Sequence, residues 1–231
     1  MKISKLLATI SWLCFFVALL LSDVFTVAFQ QSFYETEYAK YSQAEVIGMN
    51  DRDLMKSTNV LLDYIKDNRD DIIVEATING NQREVFDERE KLHMVDVKNL
   101  YANASTARYV LLAIGVFGLF VTILKNRKGW ISLLRETYFK SLLIFGLFVG
   151  ILAVWIMADF NSFWLDFHYL FFDNDLFFLD PNTSIMINMF PENFFFDLVF
   201  KIVLIFIVIL GCLGILLQSI YMIRKRKLLH D

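Results

Sequence analysis

LVFKIVLIFIVILGCLGILLQSIYMIRKRK, residues 198–227, decides the class of this protein. From Leu198 to Ile223 the stretch is apolar almost without interruption, and Arg224-Lys225-Arg226-Lys227 closes it. At about 1.5 Å per residue such a helix exceeds the roughly 30 Å of a bilayer's hydrocarbon core, so it is predicted to cross a membrane. Working outward, Leu142 to Ala158, Tyr101 to Leu124 (strongest from Tyr109) and Leu6 to Phe29 read as three further spans. The whole chain agrees: of 231 residues 57% are hydrophobic, with 24 phenylalanines and two prolines, far from the make-up of a soluble domain. A basic start before an apolar run also fits a secretory signal. However, a secretory core is shorter and ends at small residues, which Val24-Phe25-Thr26-Val27-Ala28-Phe29 does not offer, so the first span is read as an uncleaved anchor.

Orientation follows from the basic residues. Lys2 and Lys5 precede the first span, Lys125, Arg127, Lys128, Arg135 and Lys140 fill the second link, and Arg224 to Lys227 follow the fourth span. Four crossings put all of them on one side, which makes that side and both termini cytoplasmic. The other side is acidic: between Asp159 and Asp197 there are seven acidic residues and no lysine or arginine. No repeat or Pro/Gly linker divides the chain. Residues 1–231 are therefore expected to form one integral membrane domain with spans at 6–29, 101–124, 142–158 and 198–223, and with 30–100 and 159–197 as an extracytoplasmic cap. Cys14 and Cys212 fall inside spans, where packing is their expected role. The basic C-terminal cluster needs no partner beyond anionic lipid, and nothing indicates nucleic-acid binding.

The cap is patterned. Apolar residues among the charges of Ala44 to Lys66 predict an amphipathic helix, strongest over Asn59-Val60-Leu61-Leu62-Asp63-Tyr64-Ile65. Ile72 to Ile78, the turn Asn79-Gly80 and Gln82 to Phe86 predict a β-hairpin. From Asp87 a helix is expected to run into the second span, with Arg89, His93, Asp96 and Leu100 on one face. His93 then stands about 12 Å beyond Tyr101, at headgroup height. Phe160 to Phe196 is aromatic but too often interrupted by Asp and Asn for a lipid-facing span, and Pro181 and Pro191 divide it into two or three short elements. The fold class is thus a mainly α membrane protein: four transmembrane helices with an extracytoplasmic cap of amphipathic helices and a small hairpin.

Apart from His230, the only histidines are His93 and His168, so imidazole acid–base chemistry must use one or both. Asp96 one turn after His93 and Arg89 one turn before it suggest an oriented base, with Asp96 setting the tautomer. The plainer reading is a solvated helix face beside the membrane, and for His168 an interfacial aromatic segment. No His-Glu-x-x-His pattern occurs and no cysteine lies near, so neither a metal nor a cofactor is predicted. No Gly-x-Ser-x-Gly elbow offers a serine nucleophile, which favours direct transfer over an acyl-enzyme.

These segments, taken in order, resemble the bacterial lipoprotein intramolecular transacylase family. Arg89-Glu90-Lys91-Leu92-His93-Met94-Val95-Asp96-Val97-Lys98 is similar to one signature of that family, and Phe167-His168 through Phe171-Phe172, with Asp180-Pro181 and Met189-Phe190-Pro191-Glu192, to another. The four-span layout with a large outer loop agrees, so the likeness covers nearly the whole chain. A tryptophan expected soon after Asn174-Asp175 is here Phe177 or Phe178. The resemblance implies a multi-pass protein of the bacterial cell membrane and makes His93 and His168 catalytic candidates. It also implies a partner, a lipoprotein whose N-terminal cysteine carries a diacylglyceryl thioether and a free α-amine, whose sn-2 acyl chain moves to that amine to give the lyso-form. Spacing favours His93 as the proton shuttle with Asp96 orienting it, and His168 as the group that positions substrate or stabilises the tetrahedral oxygen. A non-catalytic lipid- or lipoprotein-binding scaffold and a membrane ester hydrolase are the rival readings.

Overall fold

The computed structural model describes residues 2–230, the side chains of 228–230, that of His230 included, lying outside the description. In chain order the elements are α1 (Lys2–Ala28), α2 (Gln31–Tyr41), α3 (Gln43–Ile47), α4 (Asp51–Ile65), β1 (Glu75–Ile78), β2 (Asn81–Glu84), α5 (Glu88–Lys125), α6 (Trp130–Ala158), α7 (Phe160–Phe171), α8 (Ile185–Met189) and α9 (Glu192–His230). α1, α5, α6 and α9 are long and apolar enough to cross a membrane. A continuous helix is what hydrocarbon demands, because every backbone polar group in it must be satisfied within the segment.

Packing divides the chain into two compact units, one of residues 2–24, 105–159 and 201–230, the other of 25–104 and 160–200. Three of the four boundaries between the units fall inside the continuous helices α1, α5 and α9, and the fourth falls at Asp159 between α6 and α7, so no linker composition marks them. In the first unit the aromatic side chains of Trp12, Phe16, Tyr138 and Phe145 meet edge to face, with Trp12 and Phe16 at 5.1 and 5.4 Å from the Tyr138 ring. Their polar atoms are satisfied: the Tyr138 hydroxyl donates to the Leu210 carbonyl and Trp12 Nε1 to the Leu134 carbonyl. The outer face of α6 is the opposite of a soluble surface. Leu143, Leu147, Ile151 and Val154, one helical turn apart, are each at least 60% exposed, as suits a helix solvated by lipid.

The second unit has its own core, in which Tyr34, Tyr38, Leu54, Phe86, Met189 and Phe194 are buried. The amphipathic helix expected over Ala44 to Lys66 is interrupted, ending as α3 and restarting as α4. The break is local chemistry. Gly48 takes φ 77°, its carbonyl accepts the Asn79 amide at 2.8 Å, and a Cβ there would lie 2.0 Å from Asn79 Oδ1, so only glycine fits. Asn50 then caps α4 by accepting the Asp53 amide at 2.8 Å.

The hairpin forms as expected, though each strand is shorter. Glu75 pairs with Glu84 and Ile78 with Asn81, and Asn79-Gly80 make the turn with φ 49° and 80°, both left-handed as a two-residue type I′ turn requires. Before the ladder the Val85 amide still donates to the Val74 carbonyl at 2.9 Å, while Asp71 takes the Ile73 amide, and Ile72 and Val74 are buried. α5 opens on a capping box: the Asp87 amide donates to Glu90 Oε2 at 2.7 Å and the Glu90 amide to Asp87 Oδ1 at 2.8 Å. Phe160 to Phe196 resolves into α7, α8 and the first turn of α9, the several short elements expected there.

Candidate active site

α7 is built by its aromatics. Phe160, Trp164 and Phe167 stack along one face, the first two rings 5.8 Å apart at 14° and the next pair 5.6 Å apart at 10°. His168 lies one turn beyond Trp164, so its side chain folds back over that turn, as helix geometry favours. Its Nδ1 is 2.7 Å from the Trp164 carbonyl. A carbonyl can only accept, so Nδ1 carries the proton and Nε2 is left as the basic nitrogen of the neutral ring. Burial pushes the His168 pKa below its ordinary value, with the Trp164 carbonyl opposing that fall.

His93 comes from the second turn of α5, held by the fully buried Glu90 one turn earlier. Besides closing the capping box, Glu90 Oε1 accepts the Ser184 hydroxyl at 2.6 Å and the Met186 amide at 2.8 Å. A single carboxylate thus joins the start of α5 to the start of α8. Nothing in the hydrophobic pattern marks Glu90, but the spacing Asp87-x-x-Glu90 is the signal that finds it.

The two sequence-predicted histidines meet. Their ring centroids are 6.1 Å apart at 31°, and each residue is only 8% exposed. Phe172 packs 5.5 Å from His93, and Phe177 lies 4.8 Å from His168. Together they face a cavity of about 360 Å³, lined also by Tyr34, Met94, Trp164 and Phe194 and by mainly apolar side chains. Charging both imidazoles at once in such surroundings is costly, so the pair is suited to holding one proton at most.

For Asp96 and Arg89 the structure alters the reading from spacing: burial lowers the His93 pKa and the Asp96 charge opposes that fall, but the hydrogen bonds of both residues go elsewhere. Among the described residues no hydrogen bond joins Asp96 to either imidazole, and His93 Nδ1 is buried without a partner. Asp96 Oδ2 instead accepts Asn174 Nδ2 at 2.8 Å, and Arg89 donates to the carbonyls of Phe178, at 3.0 Å, and Asp175. Both side chains hold the loop after α7. The orienting group that sequence reasoning missed is the Trp164 carbonyl, a main-chain atom that any residue at that position would supply. Among the described residues no three His, Cys, Asp or Glu side chains converge as metal ligands would.

Fold and site together define a multi-pass membrane protein with a buried imidazole pair in an apolar cavity. The family model of the lipoprotein intramolecular transacylase Lit matches residues 9–195, and the chain belongs to that family, whose members are acyltransferases. The membrane-integral lipoprotein intramolecular transacylase Lit from Bacillus cereus has a similar structure, with a TM-score of 0.73 at 21% identity over 100% of this chain and 99% of that one. Two variants of the Bacillus cereus protein, with a histidine replaced by alanine or by arginine, each match with a TM-score of 0.67 at 22% identity. Those matches cover 98% of this chain, and 95% and 93% of the respective variants. No curated protein sequence matches the chain.

Proposed function

We propose that this chain acts on a bacterial lipoprotein whose N-terminal cysteine bears a diacylglyceryl thioether and a free α-amine, moving the sn-2 acyl chain from glycerol to that amine. The observation that carries the reading is the imidazole pair in an apolar cavity, with the tautomer of one ring fixed. Amine and ester belong to one molecule, so holding them together supplies much of the rate, and converting an ester to an amide needs neither ATP nor a carrier. Proton traffic remains. The amine nitrogen forms a bond to the acyl carbon, an imidazole takes the amine proton, and the same proton goes to the glycerol oxygen as its bond to the acyl carbon breaks.

His93 is the shuttle in this reading, and His168 its orienting partner. With Nδ1–H engaged by Trp164, neutral His168 has a lone pair at Nε2 and no N–H for an oxyanion, so charge stabilisation, the role first suggested by spacing, suits it poorly. It suits acceptance of an N–H from His93, whose other nitrogen is then the base. At 6.1 Å between centroids a small inward shift would close that bond, as catalytic hydrogen bonds often tighten when substrate arrives. We further propose that the cavity faces outward from the cytoplasmic membrane, a reading supported by the Lys and Arg that crowd the short link between α5 and α6 and the stretch after the last span.

The test is a synthetic diacylglyceryl-cysteine peptide with a free amine, incubated with purified protein in lipid micelles and followed by tandem mass spectrometry, whose fragments place the acyl chain on the amine or on the glycerol. The expected product is the N-acylated lyso-peptide of unchanged total mass, with His93→Gln slowing its formation by about 10²- to 10⁴-fold. An unchanged substrate, or equal activity in a folded His93→Gln protein, would overturn the proposal, the latter in favour of a scaffold.

A further inference from the structure

The base that takes a proton from an attacking amine can also assist an attacking water, so a transacylase must keep water from the acyl carbon. Residues 173–178, between α7 and Pro181, bring Phe177 against His168. The Phe177 ring lies tilted against His168 at 4.8 Å and 36°, and Phe172, just before the loop, packs on both imidazoles, 5.5 Å from His93 and 5.6 Å from His168. The loop has a turn of its own, in which Asn174 Oδ1 accepts the Leu176 amide at 3.0 Å. What holds it in place comes from α5. Arg89 donates to the Phe178 and Asp175 carbonyls and lies 3.5 Å from the Asp175 carboxylate, while Asp96 accepts from Asn174. These two clamps sit one turn before and one turn after His93 on the same helix face. The loop side of each clamp is solvent-exposed, whereas the imidazoles beneath are buried.

We infer that residues 173–178 are a water-excluding lid, that Phe177 caps His168, and that Arg89 and Asp96 are positioning residues that choose the nucleophile, amine over water. The inference rests on the acyl-transfer reading above. With the lid in place, the amine nitrogen bonds to the acyl carbon and the glycerol oxygen leaves with the proton. With it loosened, a water oxygen bonds to the same carbon, the same ester bond breaks, and the products are a free fatty acid and a monoacylglyceryl peptide with an unacylated amine.

The readout is the ratio of free acid to N-acyl product per turnover, which does not depend on how much protein is folded. The assay is the peptide assay above run in oxygen-18 water, which marks acid released by hydrolysis. Wild-type protein is expected to give amide almost alone. Asp96→Ala and Phe177→Ala are expected to raise the acid-to-amide ratio by about tenfold, the change that a barrier difference of about 1.4 kcal/mol between the nucleophiles produces. Asp96→Asn keeps an acceptor for Asn174 but loses the charge, and is expected to keep the wild-type ratio. A leak in Asp96→Asn equal to that in Asp96→Ala would make the charge, not the clamp, responsible and overturn the inference. Amide-only turnover in both alanine variants overturns the lid while leaving acyl transfer intact. Acid alone from the wild-type protein overturns the transfer reading and the lid with it.

Discussion

At the residue scale the site turns on one hydrogen bond, from His168 Nδ1 to the Trp164 carbonyl. It makes the tautomer a property of the backbone, so no carboxylate is needed to set it, and the buried cavity is spared a second charge. Its consequence can be read from pH. Attack requires a neutral amine, whose ordinary pKa is about 7.7 to 8.0, so the rate falls as pH drops through that range. It also requires an unprotonated Nε2 on His168, which burial keeps neutral to below the usual imidazole value of about 6.5. The logarithm of kcat/KM is therefore expected to fall with a slope of about 1 from pH 8 to 6.5 and to steepen only below 6.5. A steady-state profile that steepens above 6.5 would contradict the assignment.

At the scale of elements, the decisive join is made by Glu90, which holds the start of α5 and the start of α8 against each other through three donors. Met186, whose amide is one of the three, also lines the cavity, so the same carboxylate supports a wall of the site and the turn before His93. Replacing Glu90 by Ala leaves the Asp87 amide, the Ser184 hydroxyl and the Met186 amide without their acceptor, each costing about 1 to 3 kcal/mol if it stays buried. Thermal or denaturant unfolding of Glu90→Ala is expected to show a loss of several kcal/mol. Glu90→Gln keeps one acceptor oxygen and is expected to fall between. Equal stability of Glu90→Ala and wild type would mean that α8 docks without the carboxylate.

For the whole molecule, four long apolar helices account for the composition. α6 turns Leu143, Leu147 and Ile151 outward, while the second unit wraps its aromatics around a cavity that holds two imidazoles. The proposed topology is tested by placing single cysteines in a chain with Cys14 and Cys212 changed to Ala. Gln82→Cys, in the hairpin, is expected to react with a membrane-impermeant maleimide in intact bacterial cells. Lys128→Cys, between α5 and α6, is expected to react only after permeabilisation. The reverse pattern would invert the protein in its membrane.

Helical spans, the hairpin turn and the face shared by Arg89, His93 and Asp96 were all legible in the chain, because hydrophobic length, left-handed turn chemistry and helical period act over a few neighbouring residues. The interruption at Gly48 was not read in advance, since it depends on Asn79 arriving from the hairpin. The same limit governs the site. Spacing along α5 says which side chains share a face but not what meets them, and Asn174, which claims Asp96, lies 78 residues away. Sequence by itself determined the membrane helices, the hairpin and the two rare histidines as candidates. Only tertiary structure decided that those histidines lie 6.1 Å apart, that a backbone carbonyl holds His168 Nδ1, and that Arg89 and Asp96 hold a loop. The physical reason is that hydrogen-bond partners distant in sequence are chosen by how whole elements pack, which no local pattern encodes.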